Sequence, residues 1–332
     1  MKKTLSLLFS MIVFVGCSSP EENITDPITI DPIVPTVTSN AMYGVTLFED
    51  ITYAQGLSHE SINSVTSTNM ELKLDVYVPN NDSNNRPVFM YIHGGGFMTG
   101  NKQAGVIPIL ADYYASRGFV FVSINYRLLD DFGTIPTLWE TNATFVDPDW
   151  APQYLALYPS QRDAKAALRW IVVNAETYGI NTNYITVGGG SAGAVTAITL
   201  GVSEPQDFRD EISLDTDPTL LTTNLESSYD IKTIVDFWGS KVALDAHEEI
   251  YGSNRFGSND PPLFIAHGTE DLTVLYSSAT DLQAIYETYN IPYVLYTLEG
   301  AGHAPWGVQV DGKPLSQLSF EFVVEQQELS VE

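Results

Sequence analysis

The chain has 332 residues, 44% of them hydrophobic, and carries 41 acidic side chains against 15 lysines and arginines, for a formal net charge of −26. That is enough apolar material for one large core, and the acidity opposes binding to nucleic acid or anionic lipid headgroups. Its single cysteine, Cys17, excludes intramolecular disulfides, a cysteine-built zinc site and a cysteine nucleophile elsewhere in the chain.

The first residues read as a targeting segment. Lys2 and Lys3 precede an apolar run from Leu5 to Val15 that is too short for a comfortable membrane span. Phe14-Val15-Gly16-Cys17 resembles a bacterial lipobox, which implies removal of residues 1–16 and a lipid anchor on Cys17. Two lysines and no acid leave with that segment, so the charge moves from −26 to −28. Residues 17–40 are rich in Pro, Ser, Thr, Asn and Asp and read as a flexible tether. The expected folded domain covers 41–332. The expected location is a membrane, at the periplasmic or cell-surface side of an outer membrane.

Leu72 to Val78 alternates apolar and polar residues, as in a half-buried strand, antiparallel and near a sheet edge. Val88 to Ile92 is a continuous apolar run, the pattern of a parallel strand covered on both faces, and His93-Gly94-Gly95-Gly96-Phe97 follows it. A helix is predicted over Ile107 to Arg117 and a buried strand over Phe119 to Asn125. The clearest helical periodicity runs from Ser160 to Asn174, with Ser160 and Asp163 as a capping-box-like start. Tyr184 to Val187 reads as a strand and Ala194 to Leu200 as a helix. Further strands are predicted over Ile231 to Trp238, Leu263 to Ala266 and Tyr293 to Leu298, with helices over Ser277 to Tyr289 and Leu315 to Glu325. This alternation implies a mostly parallel sheet with helices on both faces, which binds ligands at the carboxyl ends of its strands.

Two connections break the alternation, at about 129–159 and 203–229, and long connections of this kind serve as lids or functional loops. The first holds Phe132, Trp139, Phe145, Trp150, Tyr154 and Tyr158. These rings either line a pocket or pack the segment onto the core. The second is acidic and polar.

Between the Tyr184–Val187 strand and the Ala194–Leu200 helix stands Gly189-Gly190-Ser191-Ala192-Gly193. A G-x-S-x-G turn in that context is a nucleophile elbow, which lifts a serine hydroxyl from the carboxyl edge of the sheet. Serine at its free pKa needs a base, and the chain has five histidines. His59 lies in a polar region before the core, and His247 sits among Asp245, Glu248 and Glu249 on what reads as a solvated helix. His93 opens the glycine run and His267 orders a turn after its strand. His303, in a glycine-rich loop after the last strand, is left as the base. Asp271 is placed to orient it, with the adjacent Glu270 as an alternative and Asp236 and Asp245 as rivals inside strand and helix patterns. The amides of Gly95, Gly96 and Ala192 are candidate donors to an oxyanion. Phe97 and Trp306 are candidate substrate contacts, although Trp306 serves equally to pack the histidine loop.

The HGGGF run, Asn125-Tyr126-Arg127-Leu128, the serine elbow, the His267–Asp271 segment and Gly302-His303 together resemble the α/β-hydrolase superfamily. They are most similar to its HGGG-type serine esterases: the hormone-sensitive-lipase-like, carboxylesterase and feruloyl/acetyl carbohydrate-esterase branches. The resemblance covers about residue 70 to the C-terminus. It implies an α/β-hydrolase fold with lid or cap insertions, a Ser191–Asp271–His303 triad and an oxyanion hole at Gly95, Gly96 and Ala192. The implied activity is hydrolysis of small or carbohydrate-linked esters without metal or cofactor. Three alternatives share the fold: a lipase, a prolyl-oligopeptidase-like peptidase and a non-catalytic surface binding module. The segment after Leu128 is longer than in hormone-sensitive-lipase-like enzymes, and the N-terminus leaves little room for their helical cap.

Overall fold

The computed structural model describes residues 33–332. The signal segment, Cys17 and most of the expected tether lie outside the described residues. The compact unit begins at Val34, earlier than the expected 41. Strand β1 (Thr36–Val37) pairs in parallel with β12 (Ser330–Val331), and the Val37 side chain is buried, so a few apolar residues dock the end of the polar segment.

A long hairpin, β2 (Val45–His59) and β3 (Ser67–Pro79), leads into β4 (Arg86–Ile92), α1 (Ile107–Ala115) and β5 (Val120–Ile124). Then come α2 (Thr137–Ala143), α3 (Ala151–Val173), α4 (Ala175–Tyr178), β6 (Ile180–Gly190), α5 (Ala192–Val202), β7 (Ile231–Phe237) and α6 (Val242–Tyr251). The chain closes with β8 (Leu263–Gly268), α7 (Ser277–Tyr289), β9 (Tyr293–Leu298), the small ribbon β10 (Gln309–Val310) and β11 (Lys313–Pro314), and α8 (Leu315–Gln326) before β12. The central sheet has eight strands in the order β2-β3-β5-β4-β6-β7-β8-β9. β2 and β3 are antiparallel to their neighbours, and the strands from β5 to β9 run parallel.

Strand β4 shows why the middle of the sheet reads as uninterrupted apolar sequence. Val88, Met90 and Ile92 point into the core with Leu168 and Ile171 of α3, Ile198 of α5 and Leu282 of α7. Phe89 and Tyr91 point to the opposite face, with Leu110 and Tyr114 of α1 and Leu318 and Phe322 of α8. Side chains alternate along a strand, so a strand covered on both faces has no polar side. Each fully buried aliphatic side chain there contributes roughly 1.5–3 kcal/mol.

The connections differ from expectation. Helix α3 begins at Ala151 and carries Pro159 in its interior. Ser160 is therefore no N-cap; its hydroxyl donates to the Leu157 carbonyl three residues back at 2.8 Å. Of the six rings in 129–159, Trp139, Tyr154 and Tyr158 are buried and packed together, the first and last also against Phe208, whereas Phe145 is exposed. The 203–229 segment is also tied down, by buried Phe208, Ile212 and Leu220 and by Asp217, whose carboxylate faces Arg162 at 3.3 Å. Within α3, Asp163 holds the Arg127 guanidinium at 2.6–3.1 Å and its backbone N–H at 2.8 Å, which locks the strand-β5 exit to the helix. His59 ends the edge strand β2, where its ring nitrogens contact the Ser64 carbonyl and the Thr134 hydroxyl.

Candidate active site

Ser191 occupies the turn between β6 and α5 with φ 55° and ψ −122°. An L-residue adopts positive φ only under constraint. The Ser191 N–H donates to the Phe237 carbonyl at 2.9 Å, and close packing around the turn fixes the rest. A side chain at Gly193 would place its Cβ 2.0 Å from the Ile92 carbonyl oxygen, so the elbow packs directly on the end of β4. The conformation is maintained by backbone contacts that only glycine permits.

His303 lies in the loop after β9. Its Nε2 is 3.0 Å from Ser191 Oγ and its Nδ1 is 2.7 Å from Asp271 Oδ2. The loop is pinned to the turn after β8: Glu270 N–H donates to the Ala301 carbonyl, and Gly300 N–H to the Thr269 hydroxyl. Asp271 Oδ1 accepts the N–H groups of Thr273 and Val274 at 2.8 and 2.9 Å. Burial raises the Asp271 carboxyl, but the hydrogen bonds from His303 and from these two amides outweigh it and hold the group below its ordinary value. The acid is an acceptor only, so Nδ1 of His303 keeps its proton and donates it, and Nε2 is free to accept from the serine hydroxyl.

The rival residues fall elsewhere. Asp236 is fully buried in β7, where Oδ1 accepts the Gly239 N–H at 2.6 Å, and burial pushes its carboxyl up to about 7. Asp245 pairs with Lys241. His267 donates from Nε2 to the Val274 carbonyl at 2.8 Å and so orders the turn that carries Asp271. His93 is buried, stacks on Tyr126 at 4.4 Å and donates from Nδ1 to the Gly94 carbonyl at 2.7 Å. Burial pushes it down to about 4, so it is a neutral support for the glycine loop. His247 is not on a solvated face; it is buried between α6 and the 203–229 segment.

The glycine loop folds back beside the elbow. The Gly95 carbonyl accepts the N–H groups of Met98 and Thr99, and Gly95 has φ 113° and no room for a Cβ, which would lie 1.9 Å from the Thr99 oxygen. Among the described residues no protein acceptor takes the N–H groups of Gly95, Gly96 or Ala192. Two cavities meet at Ser191. One, of about 440 Å³, is lined by Gly96, Phe97, Trp150, Val195, Lys241 and Asp281, among others. The other, of about 570 Å³, is lined by His93, Met98, Trp238, His303 and Trp306, among others. Phe97 and Trp306 thus lie in different cavities, and Trp306 also packs on Phe237 and Trp238 at 4.6 and 4.9 Å. Trp150 is the ring of the 129–159 segment that reaches the serine cavity. Lys241, Asp245 and Asp281 were not legible as cavity residues, although Lys241 follows β7 on the strand edge where ligands bind.

The comparisons agree with this architecture. The BD-FAE family model matches residues 74–143 and 131–255, together more than half of the chain. Phenmedipham hydrolase of Pseudarthrobacter oxydans is 35% identical over 39% of this chain and 22% of its own length. Esterase LipC of Mycobacterium tuberculosis is 24% identical over 65% of this chain and 52% of its own length. The chain therefore spans from about a fifth to about half of these relatives. A truncated carbohydrate esterase from gut microbiota superposes with a TM-score of 0.60 at 19% identity, covering 88% of this chain and 99% of that one. The fold is that of the α/β hydrolases, and the chain belongs to the BD-FAE family.

Proposed function

We propose that this protein is a serine carboxylic-ester hydrolase acting through an acyl-enzyme. The observation that carries the reading is the Ser191–His303–Asp271 line, with contacts of 3.0 and 2.7 Å on a strained elbow. Ser191 Oγ attacks the ester carbonyl while its proton passes to His303 Nε2. The carbonyl oxygen becomes an oxyanion held by the unengaged amides of Gly95, Gly96 and Ala192, each such donor being worth about 3–4 kcal/mol. His303 returns the proton to the departing alcohol oxygen, then takes one from the water that deacylates the serine.

That proton transfer orients the substrate. The alcohol leaves next to His303, so it occupies the 570 Å³ cavity with Trp306, and the acyl group enters the 440 Å³ cavity beside Phe97 and Trp150. The likeness to a carbohydrate esterase supports short acyl or aromatic acyl groups, acetyl or feruloyl, on a glycan. Ser191→Ala abolishes turnover of short p-nitrophenyl esters, by about 10⁶-fold in kcat, with circular dichroism unchanged. Retained turnover overturns the assignment. An acyl-chain series run beside acetylated xylan and methyl ferulate identifies the substrate.

The lipobox-like Phe14-Val15-Gly16-Cys17 supports a lipid anchor on Cys17 of an outer-membrane protein. Labelling with a fatty-acid analogue is expected in the wild type and absent in Cys17→Ala, which is released from membranes.

A further inference from the structure

Helix α6 presents different residues to two sides. Lys241 at its start, Val242 and Asp245 line the serine cavity. His247, about half a turn further on, points into the body between α6, α3 and the 203–229 segment. There its Nε2 lies 3.5 Å from Asp207 Oδ1 and 3.4 Å from Glu211 Oε1. The ring is 2% exposed, and neither of its nitrogens has a hydrogen-bond partner. A buried imidazole with both nitrogens unsatisfied is costly, and this one is aimed at two carboxylates without being aligned to bond to either.

We propose that Asp207, Glu211 and His247 form a structural binding site for a zinc-type divalent cation. One ligand atom from each residue lies within 4.8 Å of the others. Zinc bonds of about 2.0–2.2 Å in a tetrahedron place neighbouring ligand atoms about 3.3–3.6 Å apart, which is the separation of His247 Nε2 from both oxygens. A nitrogen with two carboxylate oxygens favours zinc over calcium or magnesium, which prefer all-oxygen shells. Glu211, the most exposed of the three, leaves the fourth position open to water.

The surroundings fit. Arg255 holds Asp207 Oδ1 and Oδ2 at 2.7 Å each, and the Glu204 N–H donates to Oδ2 at 2.9 Å. Tyr158 donates to Glu211 Oε2 at 2.9 Å, and the Phe208 N–H donates to Oε1 at 3.0 Å. Carboxylates have about four acceptor positions, so each keeps one for a metal while these outer bonds fix its orientation. Against the two carboxylates stand the Arg255 guanidinium and Lys165, which burial pushes down to about 7 and whose ammonium donates to the Glu204 carbonyl at 2.6 Å. Bound there, the cation clamps the 203–217 chain to the helix whose other side lines the serine cavity.

The test uses the full chain, stripped with a chelator and titrated with Zn²⁺ alone or Co²⁺ alone. Expected are one saturable equivalent of Zn²⁺, the intense visible band of four-coordinate Co²⁺, and a melting temperature raised by a few degrees at a hundredfold excess over Kd. His247→Gln weakens Zn²⁺ binding by more than about 100-fold, beyond what outer-sphere changes cause, and His303→Asn leaves it unchanged. Glu211→Gln, which preserves size and can keep the bond from Phe208 N–H while the Tyr158 hydroxyl turns to accept, removes the cobalt band even where His247→Gln folds poorly. Absence of a saturable equivalent, binding that survives both substitutions, or preferential binding of Ca²⁺ overturns the proposal.

Discussion

Among the histidines of this protein that face carboxylates, His303 and His247 differ most, and the difference shows what makes such a pair reactive. His303 is bonded through both nitrogens, to Asp271 at 2.7 Å and Ser191 at 3.0 Å, and its side chain is 24% exposed at the meeting of two cavities. His247 is sealed from solvent, with its nearer nitrogen poised between two acids at 3.4 and 3.5 Å and no nucleophile beside it. The first pair fixes one tautomer and has a proton to move. The second fixes nothing by itself and is completed only by something that bonds to all three groups.

The comparison is broken most directly at the acids. Asp271→Asn leaves a neutral amide that neither enforces the Nδ1–H tautomer nor stabilises an imidazolium, and kcat/KM falls by about 10⁴-fold. Asp207→Asn changes turnover by less than about tenfold, but lowers the melting temperature because Arg255 loses its charged partner. Ester turnover and thermal unfolding of the two variants, measured side by side, separate the roles. Equal losses of activity would make the second cluster part of the reaction.

Much of the parallel half was legible because a strand covered on both faces must be apolar throughout. The runs at Val88–Ile92 and Leu263–Ala266 sit in buried strands, and the helix at 277–289 and the strand at 293–298 match their predicted bounds. Ser191 and Asp271 follow such strands and His303 follows the edge strand β9, so chain order and the motif were enough to place the line. Of the antiparallel edge, β3 was legible in the alternation of Leu72–Val78, but β2 was not. β2 exposes most of its first half, and its apolar residues follow no clean alternation. How far the 129–159 and 203–229 segments, expected as lids or functional loops, pack onto the core was not legible, because their polarity is partly satisfied by the body: Asp217 serves Arg162 and Glu211 serves Tyr158, while Trp150 still reaches the serine cavity. His247 was misplaced for the same reason. Acidic neighbours along a helix suggest solvent, and the sequence contains no sign that another segment folds over them.

A third histidine sharpens the contrast through pH. Unlike those two, His93 faces no carboxylate, and burial resolves its state: pushed from 6.5 down to about 4, it stays neutral and donates to the Gly94 carbonyl. The unfolded chain takes up a proton on this residue below about pH 6.5 and the folded chain does not until about pH 4, so the unfolded state binds more protons in that window. Stability therefore falls as pH drops from 6.5 to 4, by up to about 3 kcal/mol from this residue, and is level on either side. Asp236 acts with the opposite sign. Its carboxyl is raised from 3.8 to about 7, so the folded state holds the extra proton and stability declines as pH rises through that interval. His93→Asn, whose amide can take over the Nδ1–H bond to Gly94, should flatten the acid-side slope of denaturant-derived stability. Asp236→Asn should remove the decline toward neutral pH. If His93→Asn leaves the acid slope unchanged, the ring takes up its proton over the same pH range folded and unfolded, and burial does not hold it as a neutral donor beneath the oxyanion loop.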